Sequence, residues 1–277
     1  MIITNPPEPS PPKYPSLSNV GWVLLLSGIP YFAVGFLFQS TLAKWPLLLG
    51  ELTLLLPAYI FLRRKGYDVR RVFRLNPVSK RIIALSFAIG LAVTVLALEL
   101  DRIVGHLLPF PEHLERLLQE TLIAKSWPDW IMIVLAAVVF AGAFEEMLFR
   151  GFVQSAFEQR HQPLFAIFST AILFSFVHLA PWWFLQLIFV AMFLGVLAWR
   201  SESIIPSAIV HAQNNGISIL LTNFGEERLG PWFDWNGHVH PIILLVALAV
   251  LAVGLHLFFR FCEEETKIPT LLNTPLV

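Results

Sequence analysis

Uninterrupted apolar runs of about twenty residues recur along this chain, and they fix the solvent in which it folds. They cover residues 20–40, 46–62, 82–108, 164–179, 184–199, 204–221 and 241–261, with a further run starting near Trp130. A helix of that length matches the hydrocarbon thickness of a bilayer, and lipid offers the backbone no hydrogen-bond partners outside the helix itself. The composition agrees: 56% of residues are apolar and 14% charged, with mean hydropathy +0.69. The expected fold is therefore all-α, a polytopic membrane helical bundle of about eight transmembrane helices. We read one membrane domain over residues 20–262, between a disordered Pro-rich leader (1–19) and a cytoplasmic tail (263–277), with the motif-bearing core at about 130–221.

Charge placement orients the bundle. The connection from Arg63 to Arg74, followed by Lys80 and Arg81, is the most basic loop of the chain. Basic loops stay on the cytoplasmic side. Eight spans then put both termini in the cytoplasm, and a bacterial-type plasma membrane is the expected residence. Nineteen basic and nineteen acidic residues balance, which gives no footprint for nucleic acid; the expected partners are the lipid bilayer and a membrane-associated protein or peptide substrate. A single cysteine, Cys262, excludes an intrachain disulfide and a thiolate metal cage. Residues 109–127 show amphipathic periodicity at Leu114, Leu117, Leu118 and Leu122, which suits a helix lying on the membrane or capping the bundle. Glu51 and Gln39 read as solvated loop-side residues.

Against this apolar background, Glu145, Glu146 and Arg150 stand inside one hydrocarbon-like run. Ionisable groups at such depth are costly and commonly mark function. Three pairs share the i, i+4 spacing that puts both members on one helix face: Glu146 with Arg150, Phe174 with His178, and His211 with Asn215. The simplest packing turns all three polar stripes toward one another. Glu145 and His178 stand 16 and 17 residues on either side of His161, so in an antiparallel hairpin they reach nearly the same depth at about 1.5 Å per residue.

Roles follow from side-chain chemistry. Arg150, one turn from Glu146, neutralises it, which leaves Glu145 as the free carboxylate and candidate general base, with His178 helping to orient a water. His211 and Asn215 supply hydrogen-bond donors for a developing oxyanion. No serine, cysteine or threonine is placed as a nucleophile. A second use of the same residues is metal binding: Glu145, His178 and His211 make the two-His, one-carboxylate set of a catalytic zinc site. Taken singly, each group has a plainer use, Glu146–Arg150 as a packing ion pair and Asn215 as interhelical hydrogen bonding. Their joint occurrence is what points to a site.

The ordered set Glu145-Glu146-Met147-Leu148-Phe149-Arg150, Phe174 to His178 and His211 to Asn215 resembles the CPBP family of intramembrane proteases, which includes the type II CaaX prenyl endopeptidases and bacteriocin-processing and immunity proteins. The resemblance covers about 130–221. It implies an endopeptidase that acts on membrane-associated or lipidated, CaaX-like substrates, in which Glu145 and His178 activate water and His211 and Asn215 stabilise the oxyanion. Glu146, Arg150 and Phe174 give structural support. Family members have been described both as glutamate proteases and as metalloproteases, so a divalent metal stays an open alternative. The competing reading on the same scaffold is a non-catalytic immunity or partner-binding protein; a proton-relaying transporter is weaker, since no inverted repeat is recognisable.

Overall fold

The structure, a computed structural model, describes residues 14–38, 43–112, 116 and 120–272. Most of the Pro-rich leader, Gln39, and Leu114, Leu117 and Leu118 of the expected amphipathic segment lie outside the described residues. Nine helices are labelled here in chain order: α1 (Leu17–Phe38), α2 (Trp45–Arg64), the single turn α3 (Val69–Val72), α4 (Lys80–Leu107), α5 (Trp127–Glu158), α6 (Pro163–Val177), α7 (Phe184–Ser201), α8 (Ile205–Phe224) and α9 (Pro241–Leu272). A small hairpin, β1 (Asp234–Trp235) and β2 (His238–Val239), precedes α9.

Local chemistry starts and stops these helices where the sequence changes character. Ser126, Ser79 and Asp68 accept the backbone N–H of Asp129, Ile82 and Arg71, which caps α5, α4 and α3. Proline opens α2, α5, α6 and α8, where its missing N–H has no partner to lose. Glu202 ends α7 in a left-handed conformation at φ 50°.

Among the described residues, six helices are long and apolar enough to cross a membrane by length and composition: α1, α2, α4, α5, α7 with its leading turn, and α9. The other two expected spans are present as helices of different character. α6 has only 15 residues, and α8 carries His211, Gln213, Asn214 and Asn215 in its middle. Those two are among the helices that bear the candidate motifs. Large apolar side chains such as Trp22, Phe36, Leu245, Val246 and Val253 face outward, which is the expected arrangement when the surrounding solvent is hydrocarbon.

Two apolar cores flank the middle of the bundle. One joins α1, α2, α5 and α6 through Val20, Val23, Leu54, Phe149, Phe152 and Phe174. The other joins α4, α7, α8 and α9 through Ile89, Val93, Leu194, Val210, Leu251 and Phe258. α5 and α8 pack on each other between them. They approach closely at Gly142, where an added Cβ would stand 3.1 Å from the Cβ of Ala212.

The connector after α3 binds the two halves of the chain together. Buried Arg74 pairs with Glu158 at the end of α5 and donates to the carbonyl of Arg150 at 3.2 Å. The backbone N–H of Ile204 donates to the Arg74 carbonyl at 3.0 Å, and the Ser203 hydroxyl to the Asn76 carbonyl at 2.6 Å. At the opposite end, Glu99 on α4 accepts from the Val239 N–H at 2.7 Å and faces His238 Nδ1 at 2.8 Å, which fastens the hairpin. Asn236 and Gly237 form its turn with φ 55° and 82°. The rings of His106 and His238 stack there at 5.4 Å.

Candidate active site

Helix α5 places the site. From Val134 to Glu145, and again from Met147 to Val153, its turns are wider than those of an ordinary α-helix, with i→i+5 hydrogen bonding. Such turns are rare and recur at functional positions. Asn215 on α8 donates its amide to the Ala137 carbonyl at 2.9 Å within this stretch, so a polar side chain braces the widened backbone from outside.

Glu146 is fully buried and answered by two partners. Arg150 Nη1 donates to its Oε1 at 2.7 Å, and His211 Nδ1 lies 2.9 Å from the same oxygen. Arg150 is also fully buried; its Nη2 donates to the Ala191 carbonyl at 3.3 Å. An ion pair in this setting holds only because both charges are matched and hydrogen-bonded. The expected stripe of Glu146 and Arg150 is thus a buried, hydrogen-bonded ion pair.

Phe174 explains how the three stripes come together. Its ring carries the Arg150 guanidinium over its face at 4.5 Å and touches His178 at 4.6 Å and His211 edge-on at 5.8 Å. Phe149 meets it edge-on at 5.1 Å. One aromatic side chain thus sits between a cation and both imidazoles, in the geometry that its negative face and positive edge favour. All seven residues singled out in the sequence are gathered on three adjacent helices.

Glu145 is set apart from this matched network. It is buried, its Oε2 has no hydrogen-bond partner among the described residues, and that oxygen stands 3.9 Å from His211 Nε2. Glu145 and His178 line one cavity of about 120 Å³, with Leu24, Ser27, Gly28, Tyr31 and Phe32 of α1, Leu54 of α2, Phe149 of α5 and Val177 of α6. A water needs roughly 10–15 Å³ of such space, so the cavity has room for water beside an acyl group. His178 sits at the C-terminal end of α6, where its Nδ1 meets the Phe174 carbonyl at 2.7 Å. That bond leaves Nε2 as the ring nitrogen available to the cavity.

Two groups were misread in the sequence or missed there. Glu51 is no solvated loop residue: it is buried in α2, its Oε2 has no partner among the described residues, and its charge and that of Glu145 act on each other. The signal was available, since Glu51 interrupts a run of leucines in the same way that Glu145 interrupts its own. Tyr31 lines the cavity, and nothing in its local sequence marks it.

The proposed zinc set can be tested against these positions. Ligands about 2.0–2.2 Å from one zinc converge on a single point. Among the described residues no three His, Cys, Asp or Glu side chains gather in that way. Glu145, His178 and His211 do not form such a group.

Fold and site together define an integral membrane helical bundle with a buried Glu146–Arg150 ion pair and a second glutamate, Glu145, that lines a cavity. Residues 127–217 match the model of the family described as type II CAAX prenyl endopeptidase, Rce1-like. That segment holds every motif residue, and the match agrees with the CPBP resemblance. No curated protein and no solved structure matches the chain.

Proposed function

We propose that this protein is an intramembrane endopeptidase that hydrolyses a peptide bond of a membrane-associated or lipidated, CaaX-like substrate with a water activated by Glu145 and His178. The observation that carries the reading is the contrast between the two adjacent glutamates. Glu146 gives its Oε1 to both Arg150 and His211, whereas Glu145 hydrogen-bonds to neither and lines a cavity with His178.

In this reaction Glu145 takes a proton from water as the water oxygen bonds to the carbonyl carbon. His178 Nε2 holds the water in line. The tetrahedral intermediate then expels the amine, which receives the proton from Glu145. His211, its Nδ1–H donated to Glu146, keeps Nε2 beside the reacting carboxylate, while Asn215 holds α5 in register through Ala137. The apolar remainder of the cavity wall keeps the carboxylate out of bulk water, which strengthens each of these contacts.

The test compares wild type with Glu145→Ala, both purified in mild detergent, against a quenched prenylated CaaX peptide and a panel of unlipidated membrane peptides. Wild type is expected to cleave at least one of them, and the variant none while keeping its thermal unfolding midpoint. Undiminished cleavage by Glu145→Ala would remove that residue from the mechanism. Preference for the prenylated peptide is the expected pattern within the panel.

A further inference from the structure

The segment that matches the protease family begins at Trp127, yet one wall of the cavity is built by α1, far earlier in the chain. Of the five α1 residues on that wall, Leu24, Gly28 and Phe32 offer no polar side-chain group. Ser27 and Tyr31 do, and they lie one turn apart on the same face. Their settings differ. Ser27 is sealed, fully buried with its hydroxyl unpartnered among the described residues. Tyr31 is half-buried and lies where the charges of both Glu145 and Glu51 reach its hydroxyl.

The donors expected from sequence are held elsewhere. His211 turns Nδ1 to Glu146, Asn215 gives its amide to the Ala137 carbonyl, and neither lines the cavity shared by Glu145 and His178. A carbonyl placed there for attack would meet carboxylate, imidazole and apolar side chains, and it needs an O–H or N–H facing its oxygen. Tyr31 is the open one. Its ring is also fixed in place: it lies over Gly50 of α2, where an added Cβ would stand 3.4 Å from Tyr31 Cε2.

Resting on the hydrolase reading of the site, we propose that Tyr31 is a catalytic residue whose phenol O–H donates a hydrogen bond to the oxyanion of the tetrahedral intermediate, from the α1 wall of the cavity. As the water oxygen bonds to the carbonyl carbon, the π electron pair moves to the carbonyl oxygen, and the Tyr31 O–H shortens onto it. When the C–N bond breaks, the pair returns and the hydrogen bond relaxes. The phenol keeps its proton throughout, so it works as a fixed dipole aimed at charge that exists only near the transition state.

The experiment uses Tyr31→Phe in the full-length protein, which keeps the ring on Gly50, with Ser27→Ala and Glu145→Gln alongside, on the peptide that wild type cleaves best. Loss of one oxyanion donor lowers kcat by roughly 10²–10³-fold. Tyr31→Phe is expected to show about that loss in kcat with KM within a few-fold of wild type, and Ser27→Ala a much smaller change. A phosphinate isostere of the scissile bond, which mimics the tetrahedral state, is expected to lose affinity for Tyr31→Phe by about the factor lost in kcat/KM. A kcat for Tyr31→Phe within threefold of wild type overturns the role, as does a loss of kcat with unchanged phosphinate affinity, which marks a purely structural effect. With Glu145→Gln inactive, either result removes Tyr31 alone. Retained cleavage by Glu145→Gln instead overturns the site and Tyr31's place in it.

Discussion

Removing Arg150 while keeping Glu146 asks the most of the buried network. Arg150→Met keeps much of the side-chain volume but strips Glu146 of its 2.7 Å charge-assisted bond and leaves a carboxylate with no exposed surface facing one imidazole. Breaking a buried pair from one side costs about 3–5 kcal/mol, because the remaining charge is left uncompensated. Loss of the guanidinium from the Phe174 face removes a further 0.5–2 kcal/mol or so. The double variant Glu146→Gln with Arg150→Met removes the stranded charge, and the amide can still accept from His211; replacing both members of such a pair is often close to neutral. Equilibrium unfolding in mixed micelles should therefore show a large loss for the single variant and recovery of about 2–3 kcal/mol in the double, a coupling that a double-mutant cycle reads directly. A single-variant cost below about 1 kcal/mol, or a double variant no better than the single, would refute the claim that Glu146 is held as a charged, matched group.

Gly142→Leu should drive α5 and α8 apart, since even a Cβ meets Ala212 at 3.1 Å, and we expect at least a tenfold loss of peptide cleavage together with a lowered unfolding midpoint. Glu51→Gln removes an unpartnered buried carboxylate beside Glu145; its unfolding midpoint is expected to equal or exceed that of wild type, and a clear drop would mean that Glu51 has a stabilising partner. Because Glu145, His178 and His211 do not converge on one point, cleavage should persist after treatment with a strong chelator, and loss that added zinc restores would replace the water-activating role of Glu145 with a metal site.

Much of the site was legible because hydrocarbon makes ionisable groups conspicuous. Glu145, Glu146, Arg150, His178 and His211 stand out from runs of Leu, Val and Phe, and the i, i+4 spacing of each pair told which faces would meet. What the spacing does not carry is which contact each group makes. The role of Phe174 as the ring between Arg150 and two histidines depends on tertiary packing across α5, α6 and α8. Tyr31 was illegible for a related reason: a tyrosine in a membrane helix is ordinary, and only the course of α1 past Glu145 gives it a task. Glu51 is the instructive case. The argument that singled out Glu145 applied to it equally, but its nearness to a helix start suggested solvent. The hairpin was readable in principle, since Asn236-Gly237 is the dipeptide that a two-residue turn with both φ positive requires.

Arg74 carries a consequence for how the chain can be divided. It belongs to the connector before α4, yet its side chain and carbonyl hold the end of α5 and the turn into α8. The stretch that matches the family model is thus packed against parts of the chain that the match leaves out. Cut out at Trp127, it would leave a guanidinium-shaped gap at Glu158 and an uncovered flank on Gly151, against which Phe73 now lies. The border of likeness and the border of packing run along different lines in this chain.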